Sequence, residues 1–287
     1  MTADNIKNLL MVFQRNEITE YHVYCRLARL TKGENKEILS RIAADEKRHY
    51  EMLKKYTERE TGPNRRLVFK YSLLSRIFGL TFAIKLMEKG EEFAQSAYEK
   101  ARGDVAMMDA LMADEQRHEK ELIKMIKEEK LDYMGSVVLG LNDALVELTG
   151  ALAGLSFALQ NNRLVALAGL ITGIAASFSM AASEYLSKKQ ESDSNALKAS
   201  FYTGTAYIGT VLFLVFPYLI LSNYLWSLSW TLANAAIIIF IFTYFNSVTK
   251  DLKFKKLFWE MIAISFGVAV FSFGVGLILR MWFGIEV

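Results

Sequence analysis

ADEKRHYEML at 44–53 returns as ADEQRHEKEL at 113–122. Two of the chain's three histidines, His49 and His118, lie in these copies, each three residues after a glutamate, Glu46 or Glu115. Positions i and i+3 share a helix face, so each copy sets a carboxylate beside an imidazole. The flanking residues keep helical spacing: Ile38, Ile42, Glu46, His49, Leu53 around one copy, and Met108, Leu111, Glu115, His118, Leu122 around the other. Two further stripes run Ile6, Leu10, Phe13, Glu17, Tyr21, Tyr24 and Leu80, Ile84, Met87, Glu91, Ala94, Tyr98. Every stripe carries an acid in its middle. Residues 1–133 therefore read as an all-α four-helix bundle with carboxylates on its inward faces.

A carboxylate buried without a partner is strongly unfavourable, and a metal is the economical compensation. The two Glu-x-x-His pairs, with Glu17 and Glu91 from the other helices, supply four carboxylates and two neutral imidazoles. Their charge of about −4 balances two divalent cations, and the set is that of ferritin-like di-iron and di-manganese proteins. Oxygen and imidazole donors favour iron or manganese over a thiolate-type zinc site, with zinc a possible substitute. Glu20 and Glu88 lie close to the same faces and are alternative or additional ligands. His22 falls off the stripe and reads as a surface residue; Cys25, Tyr24 and Tyr98 read as packing.

NEITEYHVY at 16–24, MEKGEEFAQSAY at 87–98 and the two repeats resemble the rubrerythrin branch of the ferritin-like superfamily. The resemblance implies a di-iron bundle with possible ferroxidase activity. Two departures weigh against a peroxidase. There is no Cys-x-x-Cys pair for a rubredoxin-type centre, and Ala94 stands where rubrerythrins tend to carry a second glutamate.

The second half has a different chemistry. Residues 1–133 hold 48 of the chain's 65 charges and the remaining 154 residues only 17. Apolar runs at about 134–158, 164–187, 200–221, 226–248 and 257–280 each reach the ~20 residues that cross ~30 Å of hydrocarbon. Lys188, Lys189 and Lys198 lie between spans two and three, and Lys250, Lys253, Lys255 and Lys256 between four and five. The opposite side carries Arg163 and Arg280. Basic loops stay cytoplasmic, so the bundle is expected in the cytosol and the C-terminus outside. Trp226, Trp230 and Trp282 fall near outer ends, as interfacial aromatics do. The N-terminus has no basic stretch ahead of an apolar core and does not read as a secretory signal.

Ionisable residues inside spans are functional candidates. At 1.5 Å per residue, Asp143 lies ~13 Å and Glu147 ~20 Å from the cytoplasmic end of the first span. Met180 and Glu184, in the second span, lie ~10 and ~5 Å from that side. Glu184 and Glu260 have a blander reading as side chains that snorkel to the interface. GLNDALVELTGALAGLSFAL at 140–159 and ALAGLITGIAASFSMAASEYLS at 166–187 resemble the first two spans of the vacuolar iron transporter family. The matching motifs are Asn142-Asp143-Ala144 and Ser179-Met180-Ala181-Ala182-Ser183-Glu184-Tyr185. The resemblance implies Asp143 and Met180 as path ligands in a dimer that exchanges metal for protons. Ala144 and Ser183 stand where the family has glycine. The glutamate-rich insert of plant-type members is reduced here to KKQESDSNALKA, and the whole arrangement resembles the membrane-bound ferritins.

These features predict an integral membrane protein of a prokaryotic cell membrane that exports Fe2+ against protons as a homodimer. Its cytoplasmic bundle would hold two iron ions and collect or oxidise iron. A manganese exporter and a membrane-anchored ferroxidase or peroxide scavenger are the alternatives. Nucleic acid is no expected partner, because a net charge of +3 leaves no basic excess in the first half.

Overall fold

The computed structural model describes residues 3–101, 111, 113–115, 117, 118, 122, 134–191 and 195–283. Side chains are described for these except at 3–6, 91–101, 134 and 283. All regular structure among them is helical, and the chain divides into two compact units, Met1–Glu128 and Glu129–Val287.

In the first unit, α1 spans Ala3–Leu30, α2 Glu34–Thr57, α3 Arg65–Phe78 and α4 Leu80–Ala101; the described residues within 111–122 are also helical. Where their side chains are described, members of the expected stripes form the interior. Val23, Tyr24 and Leu27 of α1 pack with Ile38 and Ile42 of α2, Ile84 and Met87 of α4, and Leu122. The sequence reading did not separate α3 from the connection after α2. Pro63 stops the chain from continuing a helix, and Asn64 then caps α3 by accepting from Arg66 N and Leu67 N. Gly79, at φ 95°, ends it in the backbone region that favours glycine and lets α4 begin one residue later.

In the second unit, α5 spans Met134–Leu159, α6 Asn162–Gln190, α7 Ala196–Ile220, α8 Tyr224–Thr249 and α9 Phe254–Phe283. All five are long and apolar enough to cross a membrane. They overlap the five expected runs and extend most of them by a few residues, because Asn161 and Asn223 side chains cap α6 and α8 outside the apolar core. Small residues set the spacing between helices: a Cβ on Gly276 of α9 would collide with the Gly154 carbonyl of α5.

Pro217 lies inside α7 and has no N–H to offer the Phe213 carbonyl one turn earlier. In hydrocarbon that carbonyl would have no water to turn to. Asn234 of α8 fills the gap, donating through Nδ2 to Phe213 O at 2.9 Å, and Thr231 Oγ1 donates to Leu214 O at 2.8 Å. Asn234→Leu should therefore cost about 1–3 kcal/mol, the penalty of one buried unmet acceptor. In a Pro217→Ala background, where the backbone regains an N–H able to make the helical bond, the same change should cost much less. Unfolding in detergent of the four proteins in this cycle checks the coupling.

Candidate metal centre

Three elements bring the bundle's acids together. Glu17 from α1, Glu46 and His49 from α2, and Glu115 from the second repeat place ligand atoms within 4.8 Å of one another. Glu17, Glu46, His49 and His118 are buried. His49 Nδ1 faces three carboxylates, at 3.4 Å from Glu17, 3.6 Å from Glu46 and 3.1 Å from Glu115. His118 Nδ1 lies 3.3 Å from Glu46 and 4.0 Å from Glu115. The two rings stack with centroids 5.9 Å apart. Of the expected ligands, Glu17, Glu46, His49 and Glu115 form this group and His118 lies beside it against Glu46; the side chain of Glu91 lies outside the described residues.

The imidazoles are held from behind by crossed partners. His49 Nε2 is 3.3 Å from Asp114, in the other repeat, and His118 Nε2 is 2.9 Å from Asp45, in the first. Arg48 pairs with both aspartates at 2.8 Å, and Arg117 reaches them at 3.0 and 3.6 Å. Each letter of D-E-x-R-H thus has a place. The glutamate and histidine face the cluster, the aspartate orients the opposite histidine, and the arginine ties the two aspartates. Asp45, Asp114, Arg48 and Arg117 were missed in the sequence because they sit off the apolar stripe. Their signal was the repeat itself, which matches at those positions too.

Burial and crowding dominate the electrostatics. Burial pushes the Glu17 carboxyl well above its ordinary range, His49 opposes this, and Glu46 and Glu115 add to it. Glu115 is raised by burial and by Glu46. Glu46 goes the other way: burial would raise it, but His118 and His49 hold it at about 2. Burial disfavours charge on both histidines, yet the surrounding carboxylates raise His49 well above the usual value and raise His118 too. All of these shifts but that of Glu46 favour holding protons, which reduces the net negative charge of the cluster.

The donors suit a metal ion better than they suit each other. Among the described residues, Glu46 Oε2, His49 Nδ1, Glu115 Oε1 and His118 Nδ1 are buried without a well-formed hydrogen bond, although they crowd together. Oxygen and imidazole donors pointed at one small volume are what a divalent cation of the iron or manganese class takes. The group can hold a metal ion.

The linkage has a definite sign. A histidine raised on folding adds stability that is fully present below its unfolded pKa of about 6.5 and lost as pH rises through the folded value. Metal-free protein should therefore lose stability in its first unit from neutral pH into the alkaline range. Protein carrying metal, whose ligands are already deprotonated, should not. Thermal unfolding of chelator-treated and metal-loaded protein across that range reads the difference.

Glu20 and Glu88 occupy one flank of the cluster. Burial raises the Glu20 carboxyl well above its ordinary range, with further contributions from Glu46, Glu17, Glu115 and Glu88. Tyr24, buried, donates to Glu88 at 3.2 Å. A cavity of about 130 Å³ lined by Asn16, Thr19, Glu20, Tyr71 and Gly90 reaches this flank. His22 is exposed and Cys25 half-buried, as expected of residues outside the site.

The membrane unit places its acids differently from one another. Asp143 is half-buried and Glu147 exposed on the surface of the five-helix unit, one turn apart on α5. Glu147 accepts a hydrogen bond of 2.9 Å from the hydroxyl of fully buried Tyr207 on α7. Met180 is half-buried and packs against the unit's core. Glu184 is buried and accepts from the Ser136 hydroxyl, while Thr203 Oγ1 donates to Ser136 O at 3.0 Å. The snorkelling reading does not hold for Glu184, since a partner inside the unit satisfies it. Glu260 is exposed, 3.8 Å from Lys256, and fits that reading.

Against known proteins, the VIT family model matches residues 134–198. No curated protein matches the chain, and no solved structure does. The match and the five apolar helices support a membrane domain of vacuolar iron transporter type in an integral membrane protein.

Proposed function

We propose that the protein exports Fe2+ from the cytosol in exchange for protons, as a homodimer whose ferritin-like bundle collects the ion at a di-metal site. One observation carries the reading. A buried carboxylate–imidazole cluster shares a chain with a VIT-type unit whose first span holds Asp143 and Glu147. Glu17, Glu46, His49, Glu91, Glu115 and His118 are the collecting ligands, with Glu20 and Glu88 on the approach. Asp143, Glu147, Met180 and Glu184 line the path. One-sided lysines support a cytoplasmic bundle and an outside C-terminus.

Homodimerisation follows from the exposure of Glu147. A carboxylate that deep is costly against lipid. A second copy of the same face would cover it and enclose a polar path between two α5 helices. The path then offers the carboxylates of Asp143 and Glu147, with the Tyr207 hydroxyl bond available to a deprotonated Glu147. Each carboxylate can take a metal ion or a proton but not both, which couples the two flows.

Proteoliposomes test the reading directly. Fe2+ should cross the membrane faster with an opposing pH gradient than without one, and should outcompete Mn2+. Flux that ignores the gradient would remove proton exchange. A preference for Mn2+ would make this a manganese exporter, since the donor types do not separate the two ions. Absence of flux together with Fe2+-dependent O2 consumption would favour the membrane-anchored ferroxidase.

Asp45 and Asp114 are positioning residues in this reading. Asp45→Ala and Asp114→Ala should each weaken metal binding by about 10–100-fold, the usual cost of losing the group that orients a histidine ligand. Competition against a chelator measures it, and Asp→Asn at either position should recover part of the loss.

A further inference from the structure

The outward face of α3 is apolar in its centre and basic at its edges. Phe69, Leu73 and Ile77, each four residues after the last, are 60%, 44% and 59% exposed. Arg65, Arg66, Lys70 and Arg76 are exposed beside them, and the 14 residues of α3 contain no acid. The opposite face is spoken for, since Val68 and Tyr71 pack against the bundle core. A helix that is apolar on both faces has a second partner.

We propose that this face docks on the anionic surface of the bilayer in which the second unit is embedded. The chemistry selects that partner. An apolar stripe flanked by Lys and Arg is the pattern of helices that lie in the membrane interface, with aromatic and aliphatic side chains among the acyl chains and cations at the headgroups. Each cation near an anionic leaflet strengthens residence by a factor of about five. Both units belong to one chain, so the bundle is tethered to the membrane unit. Tethering turns docking into an intramolecular event that needs little intrinsic affinity. A second copy fits less well. Two α3 faces brought together would oppose four cations with four cations, and like charges across a contact are unfavourable. Three apolar side chains are also far short of the roughly 800 Å² per partner that a stable dimer uses.

A spin label reports the docking in full-length protein. Leu73→Cys, in a Cys25→Ala background, carries the label on the exposed face, where neither folding nor metal binding depends on it. The protein is placed in nanodiscs of neutral phosphatidylcholine alone or with added anionic phosphatidylglycerol. These discs present both leaflets, so the result does not depend on the orientation proposed above. The expected result is a several-fold rise in the label's accessibility to O2 relative to a water-soluble nickel chelate in anionic discs. High salt should reverse it, and so should the Arg65→Gln, Arg66→Gln, Lys70→Gln, Arg76→Gln protein. Equal nickel accessibility in both discs would overturn the proposal. So would equal protection in both, which would remove the anionic partner. Dipolar broadening between labels that persists in detergent would also overturn it, assigning the face to a second copy.

Discussion

On the proposed function, Asp143→Asn should abolish metal flux into proteoliposomes while leaving the bundle's metal content unchanged. The substitution keeps size and hydrogen bonding and removes only charge, so it isolates one effect. At ~13 Å depth a divalent ion has given up much of its water and needs negative charge in return. A unit charge 4 Å away is worth about 4 kcal/mol at an effective dielectric of 20, and a divalent ion doubles it. An Asn side chain returns about 0.5–1.5 kcal/mol as a hydrogen-bond acceptor. The deficit corresponds to a loss of more than about a thousandfold. Normal transport by the variant would place the path elsewhere in the unit.

The second large effect belongs to the bundle. Glu46→Ala with Glu115→Ala removes two of the three carboxylates that face His49 and both that face His118. Loss of a single orienting partner costs about 10–100-fold in metal affinity, so loss of two direct ligands should exceed a thousandfold and empty the site at micromolar metal. Elemental analysis of the purified protein reads this, with the expectation falling from two ions per chain toward none. Flux should be reduced mainly at low Fe2+, because water still solvates the ion at the cytoplasmic mouth. A double variant that is dead at saturating Fe2+ would make the bundle an obligatory gate rather than a collector. Full metal occupancy in the double variant would overturn the ligand assignment.

The five apolar helices and the acid-bearing stripes around Glu17 and Glu46 could be read from the sequence because their signals, a long apolar run and a helical spacing, are local. What escaped was either two-sided or distant. The outward and inward faces of α3 are both apolar, so Phe69, Leu73 and Ile77 blur the stripe made by Val68 and Tyr71. Asp45 and Asp114 lie inside the repeat but off the apolar stripe, and each finds its histidine on the other copy. Depth along a helix does not give cover by neighbours. Glu184, near the interface, is satisfied by Ser136 from a neighbouring helix, and Glu147, deep in its span, lies on an open face. Depth is a property of one helix, whereas burial depends on which neighbours cover it. Asn234 shows the same limit, since its role is set by a proline 17 positions earlier on another helix.

The crossed bracing of the two histidines has a consequence for the order in which the protein acquires affinity for metal during synthesis. The first repeat leaves the ribosome about seventy residues ahead of the second. On its own it contributes Glu46 and His49, but the aspartate that aims His49 is still untranslated, and the Asp45 carboxylate has nothing to aim. A nascent chain holding only the first repeat has fewer ligand groups and no brace for His49, so it should bind metal far more weakly than the finished bundle. On the proposed ligand assignment, full affinity has to wait until the second repeat, through His118, packs against the first. A growing chain would thereby hold metal only loosely in a half-built geometry, and the repeated phrase would also serve as an assembly check.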